Sequence, residues 1–326
     1  MRYRRLIFAF SALLMTPLTS WATSCTAQAE LGSLDRDALV SITGRLAGAV
    51  VSLDFNTLQA DLLPQEASDW PGIRATVEQS ASLFKGGQFQ IRSLYLLDAS
   101  NQTAAADTQF FCSNASGSLT VTITLPALPP GRYAVAIADA AGAPQAAQLG
   151  LVLAWDPSAT AWKLAGLTLR PGVFNGHDGV WYWTQGRALA HDDPWTAWFD
   201  YDAARYLLLP VDFISSPNLE KLRQEQQLIK PSPQSVFPLS LPDGDRTWKI
   251  EAVALDPSLR ESDLGLVYQS TGVTDSAALR TEATEVMSAF LKTQPSLRAN
   301  FHGLWAYSEQ GGKRTPVMEL PMKQIP

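Results

Sequence analysis

The chain has 326 residues, a length that corresponds to about two domains. Charged residues make up 17% and hydrophobic residues 46%, the balance of a globular rather than a disordered chain. A net charge of −6 lacks the basic excess of a nucleic-acid binder, and two cysteines exclude a cysteine-rich scaffold or a multi-cysteine zinc site.

Arg2, Arg4 and Arg5 form a basic n-region ahead of the apolar stretch Leu6 to Met15. Pro17 follows, and Ser20-Trp21-Ala22 supplies small residues at the −3 and −1 positions of a cleavage site. This pattern predicts a secretory signal peptide over residues 1–22, with a core too short to remain as a membrane span. Cleavage after Ala22 would leave 304 residues with a net charge of −9. No later stretch approaches the roughly 20 apolar residues that a spanning helix needs, so a periplasmic or secreted location is expected.

Cys25 has two readings. In an oxidising compartment it pairs with Cys112, closing a loop of nearly ninety residues and stabilising the fold by about 4 kcal/mol. Alternatively, Ala22-Thr23-Ser24-Cys25 resembles a bacterial lipobox, which would make Cys25 a lipid anchor. Ala22 stands where such a motif usually has Leu, and lipidation would strand Cys112, so the disulfide is favoured.

Ser33, as a cap, and the acids Asp35 and Asp37 suit a helix start, and Leu39, Ile42, Leu46 and Leu53 recur at near-helical spacing. One amphipathic helix is expected over 34–59, and a second through Ile73, Val77, Ala81 and Phe84, stopped at Gly86-Gly87. From Gln88 the pattern turns to short β-rich runs: Phe89 to Leu96, Thr108 to Cys112, Leu119 to Leu125, Tyr133 to Ile137, Leu149 to Trp155 and Trp162 to Leu169. Two helices before such a meander predict an α+β domain over 30–172 with one curved antiparallel sheet.

That element order, closing on Gly150-Leu151-Val152-Leu153 and Trp162-Lys163-Leu164-Ala165-Gly166-Leu167, resembles the NTF2-like cone fold. The resemblance implies a concave sheet able to hold a ligand, with Tyr95, Phe110 and Tyr133 as candidate lining residues. NTF2-like domains include enzymes, ligand binders and dimerising modules, so the resemblance names an architecture. The Asp-His pair of catalytic members has no counterpart, because the first 170 residues contain no histidine.

Residues 176–230 read as helical: one helix over Gly179 to Ala190, one starting after Asp193 with Pro194 in its first turn and stopped at Pro210, and a third over Asn218 to Ile229. Trp183-x2-Gly186 with Ala197-x3-Tyr201-x2-Ala204 resembles a tetratricopeptide-type hairpin, without a second repeat to stack on. Lys230-Pro231-Ser232-Pro233 is the linker candidate. Residues 235–326 predict a ββαββ unit, four antiparallel strands with one helix striped by Leu279, Ala283, Val286, Met287, Phe290 and Leu291. Pro321 confines the last strand to an edge, and the unit is expected to pack on the middle helices.

Three patterns could carry chemistry. His177-Asp178 and His191-Asp192, fourteen residues apart, offer imidazole and carboxylate ligands for zinc, manganese or iron, and superficially resemble the dyads of HD-type phosphohydrolases. The competing reading makes them turn and helix-cap residues, and it is favoured because the one other histidine is His302. The aromatic cluster Trp181, Trp183, Trp195 and Trp198 could grip a sugar or peptide, but at helical spacing core packing is the plainer expectation. Ser82-Leu83-Phe84-Lys85 lacks the companion motifs of a Ser-Lys hydrolase, and no Gly-x-Ser-x-Gly elbow, His-Glu-x-x-His helix or phosphate loop occurs. No cofactor is expected. The chain therefore reads as an exported, non-enzymatic protein that binds a small apolar ligand or another envelope protein, with a metal-dependent envelope hydrolase at 177–178 and 191–192 as the alternative.

Overall fold

A computed structural model of the protein describes residues 23–230, 232–258 and 261–326, so the expected signal peptide over 1–22 lies outside the described residues. The fold is α+β. It begins with a short strand, β1 (Ser24–Ala27), then α1 (Ser33–Ser52), α2 (Phe55–Ala60) and α3 (Trp70–Phe84). The single helix expected over 34–59 is broken at Leu53, which adopts a left-handed conformation with φ of 56°. Asp54 restarts the chain as a helix by accepting a 3.1 Å hydrogen bond from the Thr57 backbone N–H. Ser33 is the first helical residue of α1 rather than its cap, a position held by Gly32 without a side-chain bond.

The meander forms β2 (Gln88–Asp98), β3 (Ala106–Ser113), β4 (Leu119–Leu128), β5 (Arg132–Ala141), β6 (Ala147–Asp156) and β7 (Ala161–Pro171). These strands do not make one curved sheet. The main sheet has the order β1-β2-β5-β6-β7, while β3 and β4 leave it as a separate layer. Alternation on β5 explains why. Ala134, Ala136 and Ala138 face α1–α3 together with Leu39, Leu46, Val50 and Val77. Val135 and Ile137 face the other way, onto Phe110, Cys112 and Ile123 of β3 and β4. With apolar residues on both faces, the sheet must be covered on both, and the β3–β4 hairpin supplies the second cover. The Cys25–Cys112 disulfide joins β1 to that hairpin. It leaves no free thiol at Cys25, which removes the lipid-anchor reading.

A two-strand ribbon, β8 (Val173–Phe174) and β9 (His177–Asp178), leads into α4 (Gly179–Leu189) and α5 (Pro194–Leu208). After a short strand, β10 (Ile214–Ser215), that adds to β4, the chain continues in α6 (Pro217–Gln227). The last region holds β11 (Leu239–Asp243), β12 (Arg246–Asp256), β13 (Asp263–Gln269), α7 (Ser276–Thr293), α8 (Leu297–Asn300), β14 (Gly303–Gln310) and β15 (Lys313–Pro321). It has five strands in sequence order, and β13 pairs β14 in parallel, not antiparallel as expected. The helix between them is the cause: a crossover through α7 returns the chain to the same end of the sheet before β14 starts. β15, with Pro321, is the edge strand.

The central hairpin and the C-terminal sheet share one core. Trp195, Phe199 and Tyr201 of α5 lie in the same apolar cluster as Trp248, Phe290 and Phe301. The close approach of α4 to α5 depends on Gly186, where an added Cβ would sit 2.8 Å from the Tyr201 ring. The segment after α5 also seals the N-terminal region, since Val211 and Ile214 complete the core between the two sheet layers. There Arg170 donates to the Leu209 carbonyl at 2.9 Å, and Gln148 donates to the Leu207 carbonyl at 2.6 Å.

Candidate functional site

The two His-Asp steps lie at helix starts and turns, and one of their acids, Asp178, bonds the backbone. Asp178 accepts from the Trp181 N–H at 2.8 Å and so caps α4, while the His177 ring stacks on Trp181 with centroids 3.8 Å apart. Asp193 caps α5 by accepting from the Thr196 N–H at 3.1 Å. His191 and Asp192 hydrogen-bond to each other at 2.8 Å in the turn between the helices, with the His191 side chain 99% exposed. Among the described residues these four do not form a group of three or more converging donors. The group that does is Asp263, His302 and Glu319. Its members are 39 and 17 residues apart in the chain, so no spacing motif announces them.

The Trp cluster divides between core and surface. Trp195 and Trp198 are buried, and Trp181 and Trp183 pack half-buried against the same core. Trp183 Nε1 donates to Glu225 of α6 at 2.7 Å, and the Arg187 guanidinium grips the same carboxylate at 2.7 and 2.9 Å.

The three aromatic residues predicted to line a ligand pocket fall in different surroundings. Phe110 is fully buried between the main sheet and β3–β4. Tyr95 is half-buried against that same core and borders a shallow surface cleft of about 250 Å³. Tyr133 lines a groove of about 690 Å³ at the end of the sheet.

The groove follows from where the second cover stops. Val135 is in register with Val152, and Tyr133 with Ala154, so these four side chains share one face of β5 and β6. The β3–β4 hairpin covers that face only as far as Leu128, and the chain then turns through Pro129-Pro130-Gly131 into β5. Beyond that point Tyr133, Val152, Ala154 and Ala165 floor the groove. Pro126, Pro129 and Pro130 line one side, and Trp155 and Pro157 stand at the β6–β7 turn.

Tyr133, Arg132 and Asp156 at the groove are each held by a partner within the protein. The Tyr133 hydroxyl donates to the Pro129 carbonyl at 2.9 Å, and burial pushes its pKa up, so the phenol stays protonated and presents its ring. Arg132 is held by both oxygens of Asp35 at 2.8 and 2.9 Å. Asp156 accepts from the Ser158 hydroxyl at 2.7 Å and from its N–H at 2.9 Å, which lowers its pKa. Glu66, also at the groove, has its pKa raised by partial burial and by the neighbouring Asp69. An apolar floor with its one arginine neutralised does not suit an anionic headgroup. The position of Tyr133 at a sheet end beside a Pro-Pro-Gly turn was legible in the sequence, but the uncovered face was not, because it depends on which strands leave the sheet.

No protein-family model, curated protein or solved structure matches this chain.

Proposed function

We propose that this protein is an exported, non-enzymatic binding protein of the bacterial envelope that holds a small, uncharged apolar ligand in the groove at Tyr133. The export half of this reading is supported by the basic-then-apolar N-terminus and by a disulfide, which persists in oxidising compartments. No helix of the described residues is long and apolar enough to cross a membrane. The binding half is carried by one observation: a groove of about 690 Å³, within the range of small-molecule sites, floored by apolar side chains while both layers around it are packed. An NTF2-like kinship for residues 30–172 is supported by three helices followed by β2, β5, β6 and β7, four strands of the antiparallel sheet that β1 completes from the N-terminal side of the helices. On this reading the ligand lies at the end of the outer face, because the helix-facing side is filled by Leu39, Leu46 and Val77.

Trp155 at the groove is a built-in reporter. Titration with the neutral probe N-phenylnaphthylamine is expected to quench tryptophan emission saturably. Ala165→Trp, which fills the floor, is expected to abolish probe binding. Oleate is expected to bind at least about tenfold more weakly than a neutral analogue of its size, since no free cation meets its carboxylate. Probe binding that survives Ala165→Trp would contradict the assignment.

A further inference from the structure

Asp263 opens β13, His302 directly precedes β14, and Glu319 lies on β15 in register with Trp305. The three side chains thus come from neighbouring strands of the C-terminal sheet, and one donor atom from each lies within 4.8 Å of the others. His302 is fixed by its backbone on both sides: its N–H donates to the Ser262 carbonyl at 3.1 Å, and its own carbonyl accepts from the Met322 N–H at 2.9 Å. Its Nδ1 is 2.8 Å from Asp263 Oδ1.

The polar atoms around this cluster are incompletely paired. Asp263 is 0% exposed, yet its Oδ2 has no hydrogen-bond partner, and Oε1 of Glu319 is also buried without one. Gly303 lies between them, and a Cβ at that position would clash with Glu319 Oε1 and Asp263 Oδ1. The glycine therefore provides the room in which two carboxylates approach each other at the edge of a buried region. His302, when protonated, offsets the Asp263 charge across their 2.8 Å contact, and the second carboxylate, on Glu319, is left without a cation of its own. The half-exposed His302 ring, 39% accessible, leaves the cluster open to solvent on one side.

We propose that Asp263, His302 and Glu319 form a divalent transition-metal site that clasps β13, β14 and β15, with zinc as its preferred ion. Two carboxylates and a neutral imidazole balance a charge of +2. One nitrogen and two oxygens suit zinc, whereas calcium takes six to eight oxygens. Zinc sets tetrahedral ligand atoms about 3.4 Å apart, inside the 4.8 Å that bounds the separations of these three donor atoms. Three protein ligands leave a position for water on the His302 side. The site is remote in sequence from the groove residues, and its test is independent of ligand binding there.

The test uses the full secreted protein recovered from a bacterial periplasm and stripped with a chelator. Calorimetric titration is expected to give one zinc per chain and a raised Tm, with calcium and magnesium at least about a hundredfold weaker. Glu319→Gln and His302→Ala are expected to lower zinc affinity at least about tenfold, while His177→Ala and His191→Ala leave it unchanged. If the site variants misfold, cobalt added to the unaltered protein supplies the readout. A visible absorption band of low coordination number at one equivalent supports the site, and the spectrum of hexa-aquo cobalt overturns it. Absence of stoichiometric zinc, or zinc binding lost in His177→Ala or His191→Ala instead, would equally overturn it.

Discussion

Single residues govern how this protein responds to pH. Asp200 of α5 is buried at 2% exposure, and desolvation, with the nearby Asp193 charge adding to it, raises its pKa to about 8. An unfolded aspartate releases its proton near pH 4, so the folded chain holds an extra proton between about pH 4 and pH 8. Stability is therefore expected to fall as the pH rises through that window, by up to about 1.4 kcal/mol per unit from this group, and to level off above it. Asp200→Asn keeps the shape without the charge and should flatten the slope in urea melts recorded across the window. A slope equal to that of the unaltered protein would contradict the buried-acid assignment. Nothing in the sequence marks Asp200, which sits among aromatic and small residues as one more acid. Asp178 and Asp193 were legible, because an acid before a helix start has a local role that does not depend on tertiary contacts.

At the level of elements, the sequence specified periods but not partners. Alternation located the six strands of the meander, yet it could not separate β3 and β4 from the main sheet, since it gives the apolar face of a strand and not the strand beside it. The same blindness hid the parallel β13–β14 pair and, with it, the cluster of Asp263, His302 and Glu319. An acid opening an apolar run at Asp263 and a His-Gly step at 302–303 were the available signals, and each alone is commonplace. The disulfide is the element-scale device with a measurable weight. It ties β1 to β3 across 87 residues, and the double variant Cys25→Ala/Cys112→Ala is expected to lose about 4 kcal/mol in chemical denaturation. A loss below about 1 kcal/mol would mean that the cross-link does little to restrict the unfolded chain.

Across the whole molecule, the expected boundary near residue 230 does not divide the hydrophobic core. Trp195 of α5 packs its ring 5.8 Å from both Phe237 and Phe290, beyond the linker, and Phe199 meets Phe301 edge-on at 6.1 Å. A fragment of residues 232–326 would expose this surface to water, and it is expected to lack a cooperative thermal transition. In the intact chain the central helices and the C-terminal sheet should melt together. The Pro-rich stretch suggested a linker from composition alone, whereas the cohesion across it comes from aromatic side chains far apart in sequence.

The groove at Tyr133 is the feature on which the functional reading stands. It can be tested most directly by native mass spectrometry of the protein purified from a bacterial envelope, beside the Ala165→Trp variant. The expected result is a small, uncharged apolar molecule retained at one per chain by the unaltered protein and absent from the variant. A bare chain mass in both, together with N-phenylnaphthylamine binding that the variant leaves intact, would contradict the groove as the ligand site.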